Sequence, residues 1–355
     1  MSSTHRFVRL GVAALVLVSM AACTEQPATE QAQQTHRLFY IILALAIFVS
    51  VVVEGALLWA IVRYRRRPGD DEEPPQREGT TRMIIAFFLF GTVIVAALFP
   101  FGEVALGNIE QNPTPIVTID VTGSQWQWSA VYSNEGVVVS GKTFVRPLVM
   151  EVPVDEPVRI NLVSNDVMHE FFVPAFYFMR NALPGHPNVF TWTPTRIGTY
   201  RGQCAEFCGL GHYQMRFIVK VVNPTDYQAW VQKERKSILK INCPPAAGNN
   251  LELTAHNISW NTNCLAITAG QSASITVHNL DAGIDHNFAI WNSLDTTHQY
   301  FAIPKFSGVA THSANLPQEV SQLKPGKYYF QCNVHGPSMS GVFIVEPAGS
   351  GQGGG

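Results

Sequence analysis

Two thiols, two imidazoles and a thioether gather in two short stretches of this chain. SNDVMHEFFVP carries His169, and QCAEFCGLGHYQM carries Cys204, Cys208, His212 and Met215. A second, smaller set follows, with His286 in GIDHNFAIW and Cys332, His335 and Met339 in QCNVHGPSM. Thiolate, thioether and imidazole together suit copper, whereas zinc sites rarely use methionine. Without Met215 the first set also suits structural zinc. A Cys204–Cys208 disulfide is a further alternative in an exported chain, but it leaves both histidines without a use. In the second set a single cysteine cannot bridge two metals in the manner that the paired cysteines of the first set can. Its two imidazoles, one thiolate and distant thioether are the ligand list of a mononuclear blue-copper site. His256, His278, His298 and His312 fall outside both motifs and read as surface or core histidines.

Such ligands need a frame to hold them, and the chain changes character before and after residue 102. The N-terminus carries His5, Arg6 and Arg9, an apolar run from Leu10 to Met20, and then SMAAC. This pattern predicts a lipoprotein-type signal over 1–22, with Cys23 as the lipidated first mature residue and 23–37 as an exported linker. Residues 38–62 carry one charge, Glu54, and residues 83–101 carry none. Each run is long enough to cross a hydrocarbon core of about 30 Å. The loop 63–82 between them holds Arg63, Arg65, Arg66, Arg67, Arg77 and Arg82, which places it on the cytoplasmic side and both chain ends outside. Charged residues are only 14% of the chain and its net charge is −2, so no nucleic-acid surface is expected.

From 116 to 222 the pattern is short β-runs (IVTIDV, FVRPLVMEVP, VRINLVS, VFTWTP, MRFIVKVV) broken by Pro, Gly and Asn. That pattern predicts a Greek-key sandwich or barrel. Residues 223–248 contain DYQAWVQKERKSILK, whose helical spacing predicts a helical linker. From 249 to 347 the β pattern returns, and LKPGKYYFQCNVH echoes RIGTYRGQCAEFC. The fold class expected is therefore all-β, one Greek-key sandwich or barrel used twice, preceded by a two-helix transmembrane hairpin; the resemblances given below imply that this fold is the cupredoxin fold. Residues 348–355 read as a flexible tail. Cys243 and Cys264 flank the first strand of the last domain and predict a disulfide in an oxidising compartment.

The strings GSQWQW, DVMHEFFVP, ALPG and GTYRGQCAEFCGLGHYQM, following two membrane segments, resemble subunit II of haem–copper cytochrome c oxidase over roughly residues 38–222. The resemblance implies a binuclear CuA centre with Cys204 and Cys208 as bridges. It makes His169 and His212 terminal ligands, Met215 a weak ligand and Glu206 a ligand through its carbonyl. It also implies magnesium on the Glu206 side chain at the subunit I interface, and Trp126 as the surface aromatic where electrons come in. The bland alternatives are a packed strand tryptophan and an acid steadying the loop. Three departures stand out: Gln127 where the family usually has Tyr, Met179-Arg180-Asn181-Ala182 in place of Lys-x-Asp-Ala, and Ile84 where a glutamate often opens the second helix. Glu54, an acid within a membrane segment, is a candidate for a proton path or for pairing with a neighbouring subunit. The last domain resembles plastocyanin-like cupredoxins, which implies type 1 copper on His286, Cys332, His335 and Met339.

Together these expectations describe an electron-input subunit of a respiratory oxidase in a bacterial cell membrane. Its partners would be subunit I, subunit III and a donor, either cytochrome c or a small copper protein. Oxygen chemistry would occur on the partner's haem and none on this chain, so no catalytic residue is expected here. A nitric oxide reductase subunit and a copper-delivery lipoprotein are the rivals. A quinol oxidase subunit would have lost the CuA ligands. Residues 116–222 carry eight acids and eight bases, and residues 249–346 six acids and three lysines, so charge steering of a donor is expected to be modest.

Overall fold

The computed structural model describes residues 26–65, 69, 79–142, 145–294 and 296–348. The expected signal with Cys23, most of the arginine-rich loop and residues 349–355 lie outside the described residues. Two compact units emerge, one of them Glu30–Gln111.

That unit holds helices α1 (Glu30–Arg63) and α2 (Thr81–Ile109). Both outrun the apolar stretches that announced them: EQAQQTH before the first is rich in helix formers, while the second continues through Pro100 and two glycines to Ile109. Each is long and apolar enough to cross a membrane, with mean hydropathies of 2.7 and 2.6. Their large apolar side chains are exposed around the whole circumference, as a bilayer-facing helix requires.

The other unit contains both β-domains. The first comprises β1 (Val117–Ser124), β2 (Gln127–Tyr132), β3 (Val137–Ser140), β4 (Leu148–Pro153), β5 (Val158–Ser164), β6 (His169–Val173), β7 (Phe178–Ala182), β8 (Asn188–Trp192), β9 (Gly198–Cys204) and β10 (Arg216–Val222). They form two five-stranded sheets, ordered β3-β2-β1-β5-β8 and β4-β10-β9-β6-β7. Alternation along β5, with Val158, Ile160 and Leu162 buried, shows why: period-two apolar residues turn one face inward. Beneath the ligand loop, Phe171 stacks on Phe217 at 4.1 Å and Trp128 meets both edge-on. Phe171→Ala is expected to lower stability by about 3–5 kcal/mol, because it opens a cavity in a fully buried aromatic cluster. Thermal unfolding of the purified chain checks this, and a loss below a third of that range would show that the cluster collapses around the gap.

Helix α3 (Pro224–Lys240) starts with Pro at its first position and joins the domains without floating free. Tyr227 and Val231 are buried in the first domain's core, and Trp230 meets Tyr132 at 5.0 Å. Ile238 packs with Ile241, Cys243, Cys264, Val342 and Ile344 of the second.

The second domain repeats the plan. Its strands are β11 (Asn250–Ala255), β12 (Cys264–Thr268), β13 (Ser274–Asn279), β14 (Asp285–His286), β15 (Ala289–Trp291), β16 (Gln299–Ala302), β17 (Phe306–Ser307), β18 (Ala310–Asn315), β19 (Gly326–Cys332) and β20 (Gly336–Glu346). Sheets of order β11-β13-β18 and β12-β20-β19-β15-β16 enclose Phe288, Phe330 and Phe343. Cys243 and Cys264 are joined with Cα atoms 6.1 Å apart across 21 residues. Replacing both by serine is expected to lower second-domain stability by about 2–4 kcal/mol, since the unfolded chain regains the closed loop's freedom. Denaturant unfolding with and without reductant measures it.

Candidate metal centres

Strand pairing assembles the first site. β6 and β9 run antiparallel with Phe171 opposite Cys204, so His169 at the head of β6 lies beside the end of β9. The chain then turns through residues 205–215 before β10, and Cys204 N donates to the Met215 carbonyl at 2.9 Å to close the loop. The donors fall into one cluster. Sγ of Cys204 lies 3.8 Å from Sγ of Cys208 and 3.9 Å from Nδ1 of His169. Sγ of Cys208 is 3.6 Å from Nδ1 of His212 and 3.8 Å from Sδ of Met215. The Glu206 carbonyl oxygen sits 3.2 Å from Sγ of Cys204.

Both cysteines are free and buried, so the structure holds no disulfide between them. Two adjacent sulfurs, each with its own imidazole and flanked by a thioether and a carbonyl, fit soft-metal binding by a bridged pair. Sharing a proton with Cys208 holds the Cys204 thiol well below the ordinary range, at about 4, helped by His169, while Cys208 is pushed up. Cys204 thus reaches its thiolate, ligating form readily.

One carboxylate orients this site. Asp166 Oδ1 lies 2.8 Å from Nε2 of His169, leaving Nδ1 aimed at the sulfurs. Asp166 also accepts the Gln125 and Val167 backbone N–H groups. Burial works against its charge, but these donors together hold its carboxyl below the usual range.

The second site is built the same way. β19 ends at Cys332, a turn carries His335, and β20 carries Met339. Sγ of Cys332 is 3.8 Å from Nδ1 of His286 and 3.5 Å from Nδ1 of His335, and it accepts the Asn287 N–H at 3.4 Å. Met339 is buried in one cluster with Cys332, Ala255 and Ile258. Asp281 Oδ2 holds Nε2 of His286 at 2.9 Å and accepts the Ile258 N–H, while Oδ1 accepts the Asn257 N–H. Burial lowers the proton affinity of His286 and takes that of His335 down to about 4, so both stay neutral and able to ligate. Asp281→Asn keeps the shape but weakens the hold on His286. A loss of about 10–100-fold in metal affinity is expected, with the fold intact by circular dichroism. Competition titration against a chelator measures it, and unchanged affinity would deny Asp281 its part.

Sequence reasoning passed over both aspartates because an acid in a turn is an ordinary surface residue. A signal was present, since each upstream histidine is preceded by an acid, three residues before His169 and five before His286. Trp126 sits in the β1–β2 turn, half-buried, with its indole N–H donating to the Cys208 carbonyl at 3.0 Å. A Cβ at Gly211 would lie 2.5 Å from that ring, so only glycine lets the loop close on it. Glu206 is half-buried at the loop's start, near Glu170, whose proton affinity rises through burial and then through the Glu206 charge. Glu54 lies in α1, within its membrane-length apolar run.

Two surfaces flank the first site. Phe207, Leu210 and Tyr213 are 76%, 90% and 66% exposed around half-buried His212, an apolar mouth of the kind that marks a partner interface. Beside Trp126 runs a groove of about 600 Å³ walled by Lys142, Arg146, Arg201 and Arg216, with no carboxylate in its lining. The domain's balanced composition concealed this local positive field.

Comparison with known proteins gives a consistent result. The family description "Cytochrome C oxidase subunit II, periplasmic domain" matches residues 117–222. A probable cytochrome c oxidase subunit 2 of Streptomyces avermitilis is 31% identical over 265 residues, covering 61% of this chain and 82% of the relative. Among solved structures, the periplasmic domain of subunit II of cytochrome oxidase from Bradyrhizobium japonicum is 31% identical, covering 36% of this chain and 99% of that one, with a TM-score of 0.34. The reduced auracyanin of Roseiflexus castenholzii is 17% identical, covering 29% of this chain and all of that one, with a TM-score of 0.26.

Proposed function

This chain belongs to the cytochrome c oxidase subunit II family, and from that premise we propose that it feeds electrons into a terminal oxidase through two copper centres held in series. It is a membrane protein with an extracytoplasmic β-region and part of an oxidoreductase complex. In the proposal, His169, Cys204, Cys208, His212, Met215 and the Glu206 carbonyl hold binuclear CuA, while His286, Cys332, His335 and Met339 hold type 1 copper. The observation that carries it is the donor geometry, two adjacent free thiols with an imidazole each in one domain and one thiol between two imidazoles in the other. Copper bound there would supply one-electron redox chemistry with little change of geometry. The chain's part is to keep both ligand sets rigid and dry. β-strand ends fix the donors, Asp166 and Asp281 fix the imidazoles, and burial keeps water away.

The apolar mouth around His212 supports docking of the haem-bearing subunit I there. The basic groove at Trp126 supports that residue as an external electron entrance favouring an acidic donor, cytochrome or small copper protein, with oxidation slowing as salt rises. Glu206 beside Glu170 supports a magnesium site at the subunit interface. Glu54 in α1 is proposed to serve proton uptake or to pair with a neighbouring subunit. A bacterial two-pass topology with lipidated Cys23 completes the reading. Optical and EPR spectroscopy of the copper-loaded full chain, with metal counted, tests it. A mixed-valence binuclear signal beside a separate type 1 signal supports the proposal. A type 1 signal alone would remove CuA, and the oxidase role with it.

A further inference from the structure

The ligand loop of the second domain lies against the turn that leads into the first site. His335 is only 3% exposed, and the first domain supplies part of its cover. The Ser124 hydroxyl donates to the His335 carbonyl at 3.4 Å. A Cβ on neighbouring Gly336 would stand 2.6 Å from Nδ2 of Asn165 and 3.8 Å from Cγ2 of Thr122. Gln127 Nε2 reaches the Ile258 carbonyl at 3.4 Å. Thr122, Ser124 and Gln127 are all polar and all buried, as residues at a formed interface are. Gln127 is also the position where the family pattern departs from tyrosine.

The same turn touches the first site on its other side. Gly123 backs directly onto His169, since a Cβ there would lie 3.0 Å from Cδ2 of that ring. Asp166, the next residue after Asn165, holds His169. A handful of covalent bonds through Gly123 and Ser124, with one hydrogen bond and one van der Waals contact, therefore spans from His335 to His169. Trp126 approaches the first site elsewhere, across Gly209 and Gly211.

We propose that Gly123–Ser124 is the electron bridge between the two centres, carrying electrons from the His335 side to the His169 side without passing through Trp126. The inference rests on the reading of both clusters as copper centres. One electron crosses per event: the cuprous ion of the second site becomes cupric and the oxidised binuclear site is reduced by one. No bond forms or breaks and no proton moves. A tight contact between Gly123 and His169 explains why the bridge needs glycine, because any side chain would push the ligand or Trp128 aside.

The test uses the intact oxidase complex, with the type 1 centre photoreduced and each copper followed by its own absorption. Ser124→Ala is expected to slow internal transfer several-fold with both copper spectra unchanged, and to slow it more than Trp126→Phe does. The reverse order overturns the bridge. A second readout needs no metal. In the copper-free full chain, the amides of residues 333–336 should exchange slowly, and Asn165→Tyr, wedged against Gly336, should speed them roughly tenfold by opening the contact. Equal exchange in the two chains would show that the domains do not dock this way. If the unmodified complex shows no internal transfer at all, the relay itself fails. If transfer is normal but indifferent to Ser124, only the bridge fails.

Discussion

Cys204→Ser is expected to abolish the binuclear site while sparing the second. The Cys204 sulfur stands beside Cys208, His169 and the Glu206 carbonyl at once, so its replacement severs three links of the cluster, as many as Cys208 makes. A serine hydroxyl stays protonated at neutral pH and is too hard and too short to bridge two soft ions. Removing a ligand must cost more than the ~10–100-fold in affinity lost when a supporting residue is removed. Copper content should fall to the single type 1 ion, the mixed-valence EPR signal should vanish, and turnover of the complex should drop to background with every donor. Stability should change little, because a buried thiol is exchanged for a smaller group within an intact loop. Retention of a binuclear signal would show that Cys204 does not bridge.

Cys332→Ser separates the two domains' roles. Cys332 is fully buried between His286 and His335 and is the one cysteine of the second cluster. Its loss should bleach the type 1 absorption and leave the CuA signal untouched. Turnover with donors that reduce the second domain should fall by at least two orders of magnitude, roughly what a misplaced reacting group costs. Donors that enter at Trp126 should still drive the complex. Full turnover with every donor would mean that the fused domain lies off the electron path, and the serial reading would be abandoned.

Much of this was legible in the residues because the chemistry is local. Cys204, Cys208, His212 and Met215 sit on one loop, so their spacing already states that they can share a metal. The same holds for Cys332, His335 and Met339. The doubled fold was visible because period-two alternation and the Gly-Thr-Tyr and Gly-Lys-Tyr strands recur before each loop. The membrane helices were recognised from their apolar runs, but α1 and α2 extend beyond them, since hydropathy marks the bilayer crossing while backbone hydrogen bonding decides where a helix ends.

Other features needed the third dimension. Asp166 and Asp281 are common residue types at unremarkable positions, and only a contact of 2.8 or 2.9 Å identifies them as holding His169 and His286. The residues around Trp126 balance in charge when counted along the chain. Folding brings Lys142, Arg146, Arg201 and Arg216 to one groove and takes the acids elsewhere. Gln127 stood out as a departure from the family pattern, and only the fold shows that its amide reaches Ile258, 131 residues away.

The candidate donor sets, the repeated β-frame and the two membrane-length helices were already readable along the chain, because residue type and hydrophobic period are properties of neighbouring residues. Which carboxylates steady the imidazoles, where positive charge collects, and how His335 and His169 meet opposite sides of the Gly123–Ser124 turn became visible in the folded chain alone. Those depend on strand register and on how two domains pack, and such long-range contacts leave no periodic mark in the chain.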